Sequence, residues 1–83
     1  MKLTVRYFAS VREALGKGSE TIDTSAADLA ALRNELIARG GAYSQSLARG
    51  RAVRVALDQV MSDESAPLAE GCEVAFFPPV TGG

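Results

Sequence analysis

Histidine is missing from all 83 residues, and cysteine occurs once, at Cys72. Without histidine the chain has neither the usual general base near neutral pH nor the commonest metal ligand. A single cysteine cannot close an internal disulfide, and without histidine it cannot build a zinc site of the common spacings. No glycine-rich phosphate loop follows a strand-like segment. Catalysis by this chain alone is therefore not expected, nor is a bound metal or cofactor. Long apolar runs are lacking too, and none approaches the length of a membrane span. Met1 to Tyr7 alternates in character and lacks the apolar block of a signal peptide. With the lone thiol, this points to the cytoplasm and to no membrane partner. Neither charge sign dominates: Lys and Arg number 9 against 10 Asp and Glu, a formal net charge of −1. That balance argues against nucleic acid as the main partner. Arg49, Arg51 and Arg54 form a local basic run without interleaved aromatics, which reads as a solvated loop and strand edge.

What is present is 47% hydrophobic and 23% charged, enough for one modest core near the lower size limit of unaided folding. Lys2 to Phe8 alternates as a strand, with Leu3, Val5 and Tyr7 on one face. Ser10 is expected to cap a short helix that runs to Leu15 and stops at Gly16 and Gly18. Ser19 to Asp23 reads as a second strand. Ser25 to Arg39 is the strongest helix signal: Ser25 and Asp28 suggest a capped start, and Leu29, Leu32, Leu36 and Ile37 form one apolar stripe. Gly40 and Gly41 end it, and Tyr43 to Ala48 suggests a weaker helical turn. Val53, Val55 and Leu57 give a third strand, Asp58 a turn, and Val60-Met61 a brief fourth strand. A polar loop follows from Ser62 to Pro67. Glu73 to Phe77 is the last strand, with Val74 and Phe76 facing the core, and Pro78-Pro79 must end it. The implied fold is a small α+β roll, a mixed sheet of four to five strands on one main helix. Its core would gather Leu3, Val5, Tyr7, Leu29, Leu32, Leu36, Val55, Leu57, Val74 and Phe76.

A core accounts for the chain only as far as Pro78. The division expected is a folded domain over residues 1–79 and a flexible tail, Val80-Thr81-Gly82-Gly83. Two prolines hold the exit from the sheet extended, and two terminal glycines leave the end without side chains. Such an end suits a narrow channel, into which Pro79, Val80, Thr81 and Gly82 would thread. The carboxylate of Gly83 could then be activated as a mixed anhydride and attacked by a sulfur nucleophile. By alternation Phe77 should face outward, as Phe8 does at the end of the first strand. With those strands adjacent, the two rings would make an exposed patch beside the tail, widened by Met61, for a partner to grip. Cys72 reads as an inert small residue at the start of a strand, with nothing nearby to activate its thiol.

The ending Glu73-Val74-Ala75-Phe76-Phe77-Pro78-Pro79-Val80-Thr81-Gly82-Gly83 closely resembles that of the small subunit of molybdopterin synthase. Tyr7-Phe8-Ala9-Ser10-Val11-Arg12-Glu13 resembles the same family's first strand and following turn. Leu57-Asp58-Gln59 departs from it, because an Asn is common there, although Asp can make a similar turn. The resemblance implies a ubiquitin-like β-grasp fold and a sulfur-carrying role. A ubiquitin-activating-like adenylyltransferase would use ATP to adenylate Gly83, and a sulfurtransferase or cysteine desulfurase system would convert it to a thiocarboxylate. The tail would enter the large synthase subunit and give its sulfur to cyclic pyranopterin monophosphate, building the molybdopterin dithiolene. The implied assembly is a heterotetramer of two small and two large subunits. Two other roles share the glycine ending: a sulfur carrier for thiamine synthesis or tRNA thiolation, and a ubiquitin-like modifier joined to target lysines. Only Lys2 and Lys17 could serve as side-chain acceptors on the chain itself.

Overall fold

The computed structural model describes residues 1–79, so the expectations for Val80, Thr81, Gly82 and Gly83 lie outside the described residues. Eight elements follow in order: β1 (Lys2–Tyr7), α1 (Ala9–Leu15), β2 (Ser19–Asp23), α2 (Leu29–Ile37), α3 (Gly41–Leu47), β3 (Arg54–Leu57), β4 (Val60–Met61) and β5 (Glu73–Phe77). The strands form one five-stranded sheet in the order β2-β1-β5-β3-β4. β1 and β5 run parallel at its centre, with Val5 opposite Val74 and Tyr7 opposite Phe76. The other pairs are antiparallel. This order and polarity make the α+β, ubiquitin-like β-grasp.

The alternation along β1 and β5 decides which face is covered. Leu3, Val5, Tyr7, Val55, Val74 and Phe76 are buried on the inner face, joined by Leu29, Leu32 and Leu36 of α2. Leu57 and Ile37 pack against this core at its edge and are partly buried. The rings of Tyr7 and Phe76 stack at 6.4 Å between centroids. Cys72 is buried as well, just before β5.

Several boundaries differ from those expected. β1 ends at Tyr7 because Ala9 takes a positive φ of 51°, which swings the chain off the sheet. Ser10 is not the cap of α1. Phe8 occupies that position without a side-chain cap, and its carbonyl accepts from the amides of Val11 and Arg12. α2 starts at Leu29, not near Ser25, because Asp28 is its cap and accepts from the Ala31 amide at 2.8 Å. The residues before it are tied elsewhere. Thr24 Oγ1 accepts from the Ala26 amide, and the Ala27 carbonyl accepts from the Leu68 amide. The first amides of α2, those of Leu29 and Ala30, donate to the carbonyls of Ala66 and Glu64. The loop of residues 62–67 thus completes the helix start that a serine cap was expected to provide. The weak turn expected over Tyr43 to Ala48 is a full helix, α3, whose Leu47 is completely buried. Val53 lies outside β3 and packs against the core from the preceding loop. Asp58 and Gln59, both at positive φ, make the tight turn into β4. Asp58 also accepts from the Glu73 amide at 2.9 Å, so it performs the turn expected of it and fastens β3 to β5.

Candidate functional site

The outer face of the sheet, beside the place where the chain leaves β5, gathers the residues singled out as a docking patch. The Phe8 amide donates to the Phe76 carbonyl at 3.1 Å, which extends the β1–β5 pairing by one residue. Phe8 therefore stands next to Phe77 on the outer face, and on its far side Phe77 pairs with Arg54. One rung back, Arg6 pairs with Ala75, Ala75 with Ala56, and Ala56 with Met61. Side chains on alternate positions share a face, so these two rungs form a continuous surface. Phe8 is 41% exposed and Met61 is 58% exposed. Phe77 is half-buried, as are Pro78 and Pro79 where the chain leaves the sheet.

Ala56 and Ala75 form the floor between the aromatic end and Met61. Both are buried, as a small side chain flanked on a sheet by longer ones is. The result is a shallow apolar trough crossing three strands. Its rim is basic: Arg6 lies over the Phe8 ring at 5.5 Å and reaches Glu73 at 3.8 Å. Among the described residues, Arg54 has no carboxylate partner. On the other side of the exit, Arg51, Val53 and Pro78 line a groove of about 330 Å³ between α1 and α3.

Two polar clusters hold the surrounding framework. At the rim of the inner face, Glu20 Oε2 accepts from the hydroxyls of Tyr7 at 2.7 Å and Tyr43 at 2.6 Å, while Oε1 accepts from Arg39 at 3.1 Å. Partial burial works to raise the Glu20 carboxyl. The hydrogen bonds from Tyr43, Tyr7 and Arg39 outweigh it and hold the group below the usual carboxylate range. Burial, then the bond to Glu20, push the Tyr7 phenol far up, so it stays protonated. In the second cluster the guanidinium of Arg33, almost fully buried, donates to the carbonyls of Leu47 and Ala48 and to Glu64, each at 2.8 Å. Arg49 also donates to Glu64, and reaches Asn34 at 2.8 Å. These bonds outweigh desolvation and hold the Glu64 carboxyl low. Arg49 is thus a structural tie rather than part of a free basic run.

The ThiS family model matches residues 5–83. The chain belongs to the ThiS family. It is similar to the molybdopterin synthase sulfur carrier subunit of Escherichia coli (strain K12), 36% identical over 81 residues, covering 98% of this chain and 99% of that protein. The protein of the same description from Haemophilus influenzae is 35% identical over the same length and shares. Among solved structures, a complex of subunits 1 and 2 of the molybdopterin-converting factor from Helicobacter pylori contains a similar chain. That chain is 27% identical with a TM-score of 0.71, and the likeness covers 100% of both.

In this ThiS-family chain, the sheet brings Phe8, Phe77 and Met61 onto one surface, and Pro79 follows Phe77 by two residues, half-buried. Val80, Thr81, Gly82 and Gly83 lie outside the described residues. Sequence reasoning missed the floor of the trough. Ala56 and Ala75 offer no chemistry of their own, but each stands where alternation would put a polar outer residue, and that was the available signal. The basic rim was hidden for another reason. Arg6 and Arg54 are far apart in sequence, and only the pairing of β1, β5 and β3 puts them on one face.

Proposed function

We propose that this chain is the sulfur carrier subunit of a molybdopterin synthase, with Gly83 as the reacting residue. The single observation that carries the reading is the match, over almost the full length of both proteins, to two sulfur carrier subunits of that description. In this reading the Gly83 carboxylate attacks the α-phosphorus of ATP on a ubiquitin-activating-like adenylyltransferase, and pyrophosphate leaves. A persulfide carried by a sulfurtransferase or cysteine desulfurase then attacks the acyl carbon and AMP leaves; a thiol cleaves the resulting acyl disulfide, so that a thiocarboxylate remains on Gly83 and the donor sulfur leaves as a disulfide with that thiol. Pro79, Val80, Thr81 and Gly82 thread the active site of the large subunit. There the sulfur passes to cyclic pyranopterin monophosphate, and each transfer returns a carboxylate at Gly83. This chain supplies a reactant, binds no cofactor itself, and leaves proton transfer to its partner. The cycle runs in the cytoplasm, and the working assembly pairs two small with two large subunits.

The outer-face trough is the proposed seat for the large subunit. Phe8 and Phe77 supply aromatic anchors, Met61 an adaptable edge, and Ala56 and Ala75 a floor that lets a partner side chain come close. Support comes from the placement of an uncovered apolar surface at the exit of the tail. The test is the intact mass of protein incubated with the activating enzyme, ATP and a sulfur source. A form heavier by the difference between sulfur and oxygen, mapped to Gly83 and able to convert the pterin precursor with the large subunit, is the expected result. Failure to form it under those conditions sinks the reading. Formation of it, with transfer only to a thiamine precursor or a tRNA, would move the chain to another carrier role.

A further inference from the structure

The fold sends the basic run of Arg49, Arg51 and Arg54 in three directions. Arg49 is tied to Glu64 and Asn34, and Arg54 pairs with Phe77 on the rim of the trough. Arg51 instead lines the groove between α1 and α3. Its backbone is held from both sides. The Arg51 amide donates to the Ala48 carbonyl at 2.8 Å, and the Arg51 carbonyl accepts from the buried guanidinium of Arg33 at 3.4 Å. Its own side chain is exposed, and among the described residues it has neither a carboxylate partner nor a hydrogen bond. The position of this cation is fixed while its charge stays unanswered.

The lining suits a carboxylate on a short apolar stem. Val11, Val53 and Pro78 make it apolar, Ser10 and Ser46 add hydroxyls, and among the described lining residues Arg51 is the one charged side chain. A guanidinium presents planar, paired donors that match a carboxylate and keeps its charge at any ordinary pH. At about 330 Å³ the groove admits the side chains of a loop rather than a whole helix. Its place on the surface argues for what fills it. Val53 and Pro78 line the groove, while their chain neighbours Arg54 and Phe77 pair with each other on the outer face and belong to the trough. Groove and trough are therefore two sides of one edge, where the chain leaves β5. A partner seated on the trough that follows the surface round Pro78 meets Arg51 next.

We propose that the α1–α3 groove receives an Asp or Glu side chain from a loop of the large subunit, paired with Arg51. The large subunit then clasps the exit of β5 from both sides, by apolar contact at the trough and by charge at the groove. A pair shielded between two helices acts mainly on dissociation, whereas an open rim charge such as Arg54 acts on the encounter. This inference rests on the trough being the seat of the large subunit, as proposed above.

The test measures dissociation of the full chain from the large subunit, with the urea midpoint as a control on folding. Arg51→Glu should speed dissociation about tenfold or more and leave the midpoint close to that of the parent. Arg51→Lys keeps the charge and supplies an amine for zero-length coupling. Treated with a carbodiimide in the complex, it should form an amide between the amine introduced at position 51 and an Asp or Glu of the large subunit, located by mass spectrometry. Unchanged dissociation of Arg51→Glu overturns the proposal, as does the absence of that amide. Should Arg51→Glu lower the midpoint, the amide alone decides. A defect of Arg51→Glu confined to pyrophosphate exchange with the activating enzyme also overturns it, and gives the groove to that enzyme. Loss of binding in the Phe8→Ala, Met61→Ala pair alone would keep the trough and discard the groove. If the parent chain does not bind the large subunit, the trough reading falls and this inference with it.

Discussion

On the inner face of the sheet, Leu3, Val5, Tyr7, Val55, Val74 and Phe76 disappear beneath α2. On the outer face of the sheet, Phe8 and Met61 stay exposed around a floor of two alanines. Both faces follow from one alternation, yet only the first is needed to fold the domain. The larger apolar side chains on the second are only partly covered, Phe8 by the Arg6 guanidinium, and expose carbon to water. The difference separates residues that the fold requires from residues that an encounter requires, within strands only a few positions long.

The comparison can be broken most forcefully from the inside. Phe76→Ala is expected to cost about 3–5 kcal/mol, a large part of the roughly 5–15 kcal/mol available to a natural domain, read as a lower urea midpoint. A loss below about 1 kcal/mol would mean that the inner face is not the core it looks to be. The outer face should respond the other way. Phe8→Ala combined with Met61→Ala should leave the urea midpoint within about 1 kcal/mol of the parent. The same pair should weaken binding to the large subunit by about 10- to 100-fold in calorimetry, the range of losing hot-spot contacts. Unchanged affinity would remove the trough from the interface.

Acid should act on the rim of the inner face rather than on the trough. Glu20 and Glu64 are held below the ordinary carboxylate value of 4.5 in the folded chain. A depressed folded value means that their contribution is complete above that pH. It is lost as the pH falls through the lower folded values, because the unfolded chain takes up protons first. The urea midpoint should therefore drop as pH falls below about 4.5, and Glu20→Gln should flatten that decline. An equally steep decline in the variant would place the acid sensitivity elsewhere. The smallest effect is expected at Arg54, on the trough's rim. Arg54→Ala should change stability by less than about 0.5 kcal/mol and act on the association rate with the large subunit more than on dissociation. A rate independent of salt in both proteins would show that the basic rim does not steer the encounter.

Much of this division could be read before any coordinates. The stripe of Leu29, Leu32 and Leu36 and the alternation of β1 and β5 are short-range patterns, and the core followed them. Phe8 and Phe77 were recognisable as outward because the same alternation leaves them no inner place. Features made by long-range closure were harder. Asp28, rather than Ser25, caps α2 because the distant residues Glu64 and Ala66 receive the first helix amides. Arg33, a charged residue among the leucines of α2, is buried because the carbonyls ending α3 and the carboxylate of Glu64 surround its guanidinium. Leu47 was hidden in a segment with little helical periodicity. In each case the deciding partner lies more than a dozen residues away, beyond the reach of a local pattern.

The placement of β5 has a consequence for how the protein is made. Residues 73–77 form the middle strand of five, hydrogen-bonded to β1 on one side and β3 on the other. A ribosome therefore delivers the keystone of this sheet after the four strands that it joins. Before it arrives, the antiparallel β1–β2 pair and the β3–β4 hairpin have no strand between them, and the parallel pairing must wait for contacts as distant in sequence as Thr4 with Glu73. Translation and folding are thereby ordered, and a chain cut short before Glu73 cannot close the sheet. Any copy that reaches the folded state has already been synthesised to within a few residues of Gly83.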